Sequence, residues 1–299
     1  MAQTSAQVQE AAIRPVAKVQ DAQAEERHFR WHHAILYVFI VIFTITSIGP
    51  LIFTFISSFK TFGEVLAFPP SLIPRVWTWG NYSQLFANPD ILQWVLNTFI
   101  YAVGATILNV IFSAMAGYAL SRMNFPGKEI IFVITLSVMM IPLAVTLIPK
   151  FLVMNGLGLA NTYWALILPA MAQPLSVFIM IQFMKGLPKE LEESATIDGA
   201  SRLRIFASII VPLVKPALTA VAIVTFQGAW NDFQWPLVVL NAQNMYTLPV
   251  GLLLFKNGHY TEYNLLLTGS MFNVIPILIL FFIFQRYFIE GATASGIKG

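Results

Sequence analysis

The sequence predicts an all-α membrane protein with six spanning helices and with both termini on the cytoplasmic side. Of the 299 residues, 57% are hydrophobic and only 10% are charged, a balance that a soluble domain of this size does not have. Apolar runs recur at about the 20-residue length that crosses a bilayer core. The basic residues between these runs fall mainly on one side of the predicted membrane, which sets the orientation.

Residues 1–33 form a polar N-terminal segment, rich in Ala and Gln, that contains no apolar run. Such a composition cannot bury a core, so we expect a cytoplasmic tail that is partly disordered. The first apolar run, residues 34–59, is longer than the short apolar region of a secretory signal peptide. We therefore expect this run to remain in the membrane as a span.

Six segments reach spanning length and together define a predicted membrane domain over residues 34–290. The predicted spans lie near residues 34–59, 93–120, 130–148, 162–184, 209–229 and 265–288. A further apolar stretch, residues 236–255, is interrupted by Asn241, Gln243, Asn244 and Pro249, and is predicted to be a loop that is in part re-entrant. Residues 291–299 follow as a predicted cytoplasmic tail.

The basic residues decide the orientation of these six spans. Four lie on one side of the predicted membrane: Lys60, Arg75, Lys150 and Lys256; Lys215 falls within a span. The other side carries twelve: Arg14, Lys18, Arg27, Arg30, Arg122, Lys128, Lys185, Lys189, Arg202, Arg204, Arg286 and Lys298. Because cytoplasmic loops are enriched in Lys and Arg, both termini are predicted to be cytoplasmic.

The first outer loop, residues 60–92, combines prolines, among them Pro69, Pro70 and Pro74, with Trp77, Trp79 and Tyr82. This composition predicts an ordered segment outside the membrane core. Aromatic residues of this kind anchor many proteins at the membrane interface. Anchoring and a docking surface for an outside partner are equally good interpretations.

The inner loop over residues 186–212 carries the signals of a short helix. Pro188 suits a first helical position, and Glu190, Glu192 and Glu193 suit the positive end of a helix dipole. Gly199 suits the left-handed conformation that ends a helix. The apolar stripe of this predicted helix is narrow, so we expect the helix to pack against a protein surface rather than against lipid.

One spacing in this loop resembles a known motif. Glu193-Ser194-Ala195, three residues, Gly199, nine residues, Ile209, one residue and Val211-Pro212 are similar to the EAA loop of permeases from binding-protein-dependent ABC importers. Ser194 and Val211 stand where the family pattern has Ala and Leu. Further segments resemble the second permease of maltose-type sugar importers: Ala119-Leu-Ser-Arg122, Phe125-Pro-Gly127, Met140-Ile-Pro142, residues 156–163, Leu187-Pro-Lys-Glu190, Ile197-Asp-Gly-Ala200, Trp230-Asn-Asp232 and Gly296-Ile-Lys-Gly299. The resemblance implies the ABC importer type I permease fold.

The same resemblance implies that residues 188–202 form a coupling helix that docks on an ATP-binding subunit. The contact residues carried over are Glu193, Ser194, Ala195, Asp198, Gly199 and Ala200, with the acids as polar partners and Gly199 as the bend. Lys298, in the C-terminal tail, is a further expected contact. Glu190 and Glu192 are expected to be solvated residues at the helix start.

No Gly-x-x-x-x-Gly-Lys-Ser/Thr loop is present to hold nucleotide phosphates. The chain is therefore predicted not to be an enzyme and to carry no cofactor, with ATP and Mg bound by partner subunits. The implied partners are a second permease, two ATP-binding subunits, an extracytoplasmic binding protein and membrane lipid, without nucleic acid. The expected location is the bacterial inner membrane.

A sugar path through lipid requires hydrogen-bonding side chains within apolar helices. Gln227, Asn231 and Asn273 are the preferred candidates because they fall on or beside the fifth and sixth predicted spans. The alternative, that each residue only bonds a neighbouring helix, stays open. An ion-coupled carrier is disfavoured because such carriers usually place ionisable groups at mid-membrane, and apart from Lys215 the predicted spans have none there.

Overall fold

The computed structural model describes residues 33–256 and 261–296, with side chains described as far as residue 284. Residues 1–32 of the predicted N-terminal tail, and Lys298 of the C-terminal tail, lie outside the described residues. The chain divides into two units, one ending at Ile56 and one beginning at Ser57. All contacts discussed below are within the second unit.

The described residues are helical apart from loops and one isolated β-bridge between Lys256 and Thr261, so the all-α prediction is confirmed. Short 3₁₀ turns follow α7, α13 and α14, and a π-helical turn follows α10. The helices are α1 His33–Ser57, α2 Phe62–Val65, α3 Gly80–Ala87, α4 Asp90–Arg122, α5 Lys128–Met139, α6 Leu143–Gly156, α7 Tyr163–Ile167, α8 Pro174–Lys185, α9 Glu190–Ile197, α10 Arg202–Ile205, α11 Val211–Leu213, α12 Lys215–Trp230, α13 Gln234–Val239, α14 Leu248–Gly251 and α15 Tyr263–Gly296.

Among residues 33–256 and 261–296, four helical segments are long and apolar enough to cross a membrane, and up to six if each of two bent pairs is one span. The pair α5 and α6 bends by 110°, and the pair formed by Arg202–Leu213 and α12 bends by 77°. The sequence predicted one span at residues 130–148, whereas the structure has two helices there, α5 and α6, separated by this bend. Pro142 lies at this break, and it has no N–H with which to continue the helix of α5.

The long helix α4 forms the centre of the second unit and packs against α8 and α12. At Gly117, an added Cβ would lie 2.5 Å from the Cβ of Met180, so only glycine permits the close approach of α4 and α8. Asn97 of α4 is fully buried, and its amide donates to the carbonyls of Asn244 at 2.8 Å and Tyr246 at 2.9 Å. These bonds fix the segment after α13 against the outer half of α4.

The stretch of residues 236–255 consists of short helical pieces, of which the longest, α13, has 6 residues. None of these pieces reaches the length of a span. Pro249 stands within the first turn of α14. The segment is therefore an irregular connection packed on protein, in line with the predicted loop.

The first outer loop is ordered around one buried amide. Asn81 of α3 donates to the carbonyls of Ser58 at 2.7 Å and Lys60 at 2.8 Å, and it accepts from Asn264 of α15 at 2.9 Å. Phe59 packs edge-on against Trp79 at a ring-centroid distance of 4.9 Å. The loop is thus a cap tied to the start of α15.

Candidate functional site

Helix α9 ends in a tight glycine turn. Gly199 has a φ of +78°, the left-handed conformation predicted for it. Its N–H donates to the Thr196 carbonyl at 3.0 Å, and the Ala200 N–H donates to the Ala195 carbonyl at 2.9 Å. This pair of bonds is a Schellman motif, which satisfies carbonyls that the helix end would leave free. The helix begins at Glu190, two residues after the predicted start at Pro188.

The inner side of α9, by which we mean the side that packs on the rest of the chain, is held by an ion pair that the sequence did not predict. Glu192, predicted to be solvated, has its Oε1 atom 3.2 Å from Nε of Arg122, with side-chain exposures of 13% and 4%. Tyr118 hydroxyl donates to Oε2 of Glu192 at 3.3 Å. Arg122 also donates to the carbonyl of Leu187 at 2.6 Å and to that of Met184. The expectation for Glu192 was wrong because its partners lie about 70 residues away in sequence, on α4.

Two small residues of the motif face the body of the chain. Ala195 and Ala200 are half-buried and pack against an apolar cluster that includes Tyr118, Met184 and Ile205. After Ala200, Ser201 caps α10, accepting from the Arg204 N–H at 3.4 Å. The loop is therefore supported along its whole inner side.

The outer side of α9 and its loop, by which we mean the side that faces away from the rest of the chain, is exposed to solvent. It presents Glu193, Ser194, Asp198 and Gly199, together with Ile197, which is 86% exposed. Leu203 is 73% exposed beside them. An added Cβ at Gly199 would meet nothing within 4 Å. Charged and apolar side chains on a firmly supported helix form a surface suited to docking a protein.

The predicted path residues come together in part. Asn273 of α15 donates from Nδ2 to Oδ1 of Asn231 at 3.3 Å, and the carbonyl of Asn273 accepts from Trp230 Nε1 at 2.9 Å. Asn231 also donates to the backbone carbonyl of Gln227 at 3.1 Å. The side chain of Gln227 is exposed and takes no part in this bond. Asn231 and Asn273 thus join two helices while remaining at least partly accessible.

A cavity of about 640 Å³ lies beside these residues and contains polar groups other than the three preferred path candidates; of these groups, the sequence had suggested only Gln173 for the path. Its walls include Tyr101, Lys150, Gln173, Asp232 and Gln234. The Asp232 carboxylate accepts from Tyr101 hydroxyl at 2.9 Å and from the Trp235 N–H at 3.3 Å. Lys150 Nζ lies 3.8 Å from the centroid of the Trp235 ring.

The sequence contained a signal for this cavity. Trp230-Asn-Asp232 was recognised as part of the family resemblance, but within it only Asn231 was given a role and Asp232 was given none. Gln173 and Lys150 reach the cavity because helical spans are interrupted nearby. A proline in the sequence predicts that a helix is interrupted, but it does not predict which distant helices will meet at the interruption. Within the described residues, no group of three His, Cys, Asp or Glu side chains could hold a metal ion.

Comparison with known proteins places this arrangement in a family. The chain is 37% identical over 274 residues to the arabinooligosaccharides transport system permease protein AraQ of Bacillus subtilis (strain 168), covering 91% of this chain and 98% of that protein. It is 32% identical over 279 residues to the diacetylchitobiose uptake system permease protein NgcG of Streptomyces coelicolor, covering 92% and 91%.

Among solved structures, the fold resembles a chain in the crystal structure of a bacterial ABC transporter involved in the import of the acidic polysaccharide alginate. The TM-score is 0.77 at 24% identity, and the match covers 88% of this chain and 98% of that one. The sequence profile of one family matches residues 109–293, which include α9 and its supports as well as the Asn231–Asn273 pair. The chain therefore belongs to the family of binding-protein-dependent transport system inner membrane components.

Proposed function

We propose that this chain is the membrane-spanning subunit of an ATP-driven importer for an oligosaccharide. In this proposal it forms the translocation path with a second permease, and it receives the effect of ATP hydrolysis through the loop of residues 188–202. ATP and Mg bind to two separate ATP-binding subunits, and an extracytoplasmic binding protein delivers the sugar. The chain belongs to a family of inner membrane components, and its described residues contain several helices long and apolar enough to span, so it is a multi-pass membrane protein.

One observation carries the coupling role, namely the contrast between the two sides of α9. Its inner side is fixed by Arg122 and by the packing of Ala195, whereas its outer side presents Glu193, Ile197 and Asp198 to solvent. Ile197 and Leu203 of this loop are both highly exposed, and apolar surface rimmed by polar residues is typical of a protein–protein interaction site. A docked ATP-binding subunit would cover this surface.

The substrate class is supported by the relatives. Proteins at 37%, 32% and 34% identity are named for the transport of arabinooligosaccharides, diacetylchitobiose and galactooligosaccharides. These three oligosaccharides are neutral, whereas a relative at 31% identity is named for the transport of sulfoquinovosyl glycerol, which carries a sulfonate. We assign a neutral oligosaccharide to this chain because the three relatives of higher identity share that class. Gln227, Asn231 and Asn273 are proposed to contact it along the path.

The test uses two glycines with the same backbone conformation. Gly199 has φ +78° and Gly158 has φ +71°, and an added Cβ meets nothing within 4 Å at either. Asn tolerates the left-handed conformation, so Gly199→Asn and Gly158→Asn should both fold. Gly158 lies between α6 and α7, on the predicted outer side, so it serves as the matched control.

Each variant is co-expressed with the ATP-binding subunit and the second permease, and the ATP-binding subunit recovered with this chain is measured. We expect Gly199→Asn to lower the recovery about tenfold, because the new side chain obstructs docking, and Gly158→Asn to leave it unchanged. If no ATP-binding subunit is recovered with the unaltered chain, or if both variants behave alike, the coupling role is wrong.

A further inference from the structure

We propose that the cavity lined by Lys150, Gln173, Asp232 and Gln234 is a binding site in this subunit for the hydroxyl groups of a neutral oligosaccharide in transit. This inference rests on the proposed import function. It adds a specific site, formed by residues other than those of the Asn231–Asn273 pair.

The cavity lies where two apolar helical segments are both interrupted. Met139 and Leu143 line it from the two sides of the 110° bend between α5 and α6. Pro169 and Pro174 line it from the break between α7 and α8. Interrupted backbone at membrane depth is tolerated only where it faces protein or a water-filled space, and discontinuous helices form the substrate sites of many transporters.

Two amide side chains in the cavity have free hydrogen-bonding capacity. Within the described part of the chain, neither Gln173 nor Gln234 makes a side-chain hydrogen bond. An amide both donates and accepts, and so does a sugar hydroxyl. Gln173 is half-buried and Gln234 is exposed, so both amides are open to the space of the cavity and a polyhydroxyl ligand can replace water on them.

The charges in the cavity favour a neutral ligand. Lys150 and Asp232 are the charged residues among those that line it, and their charges are opposite. The Asp232 carboxylate accepts from the Tyr101 hydroxyl and from the backbone N–H groups of Trp235 and Gln234, and a carboxylate has about four acceptor positions. Asp232 can therefore accept from a sugar hydroxyl, and because Lys150 offsets its charge, the lining has no net charge that would select an ionised sugar. The volume of about 640 Å³ lies within the range of about 300–1,000 Å³ for small-molecule sites.

A thiol-protection experiment tests this site in the assembled transporter. The chain contains no cysteine, so Gln234→Cys introduces a single reactive group on it. Gln182→Cys is the matched control, since Gln182 is an exposed residue of α8 that does not line the cavity. Labelling of this chain by a membrane-impermeant thiosulfonate is timed in complexes trapped with ATP and vanadate.

The binding protein is supplied either sugar-free or loaded with arabinotriose, galactotriose or diacetylchitobiose, whichever stimulates ATP hydrolysis by the unaltered complex. We expect the sugar to slow labelling at position 234 at least fivefold and to leave position 182 unchanged. We also expect Gln173→Ala combined with Gln234→Ala to lower uptake of that sugar about tenfold, and Gln182→Ala to leave it unchanged.

Three results overturn the site while leaving the proposed function in place: stimulated ATP hydrolysis without protection at 234, equal slowing at 182, or a cysteine at 234 that never labels. Equal protection by an acidic oligouronate overturns the assignment of a neutral ligand. If no sugar-loaded binding protein stimulates ATP hydrolysis by the unaltered complex, the proposed function fails, and this inference fails with it.

Discussion

Arg122 at the end of α4 and Glu192 in the first turn of α9 form an ion pair, with Nε and Oε1 3.2 Å apart and both side chains largely shielded from water. Arg122 also donates to the carbonyl of Leu187, beyond the end of α8, at 2.6 Å. One side chain therefore joins α4, α8 and α9. A force applied to α9 is passed to the membrane helices instead of being absorbed by a flexible loop.

We expect Glu192→Ala to loosen α9, because it leaves the buried guanidinium of Arg122 without its counter-charge. Removing one partner of a buried pair costs about 3–5 kcal/mol, and the partial exposure of Glu192 reduces that to roughly 2 kcal/mol. Hydrogen exchange of the amides of residues 190–198 should then accelerate more than tenfold. Glu190→Ala, an exposed acid on the same helix, is the control; equal exchange in the two variants would refute the role of the pair.

The amides on α12 and α15 give a second prediction. Replacing Gln227, Asn231 and Asn273 together by Ala removes the bond between Asn231 and Asn273 and the exposed amide of Gln227. We expect sugar uptake to fall at least fivefold, measured with labelled oligosaccharide in proteoliposomes. Asn155→Ala, which removes an exposed amide elsewhere, should leave uptake unchanged. Normal uptake by the triple variant would exclude these residues from the path.

The outer cap should weaken at acidic pH. The backbone N–H of Arg75 donates to Oε1 of Glu64 at 2.8 Å and, with the Ser71 hydroxyl at 2.9 Å, holds the pKa of this carboxyl below its ordinary value. For a carboxyl with a lowered pKa, the stabilisation is present above the unfolded pKa and is lost as the pH falls through the folded pKa.

Hydrogen exchange at Arg75, corrected for the intrinsic effect of pH, should therefore rise as the pH is lowered from 6 to about 3. Glu64→Gln cannot ionise and should abolish this dependence. A pH dependence that survives in Glu64→Gln would show that another group is responsible.

The features predictable from sequence are those that depend on local chemistry. Apolar run length identified the membrane helices, and the spacing around Gly199 predicted both a short helix and the conformation that ends it. The motif beginning at Glu193 pointed to the correct family. Each of these signals is contained within about 25 consecutive residues.

The features that the sequence did not reveal depend on contacts between distant segments. Glu192 looks like an ordinary helix-start acid until α4 brings Arg122 beside it. Lys150 and Asp232 are far apart in the chain and share a cavity only because α6 contacts α13, which begins two residues after Asp232. Periodicity and motif spacing describe one element at a time, so they carry no information about such pairings.

The central claim is that the outer side of α9 docks on an ATP-binding subunit, and a single-cysteine cross-link tests it most directly. Ile197→Cys, at a residue that is 86% exposed, is compared with Leu157→Cys, at one that is 63% exposed near the predicted outer side. Each is coupled to a maleimide–diazirine reagent in membranes that contain the assembled complex. We predict a photo-cross-link to the ATP-binding subunit from position 197 and none from position 157. No cross-link from 197, or equal cross-linking from both, would contradict the account.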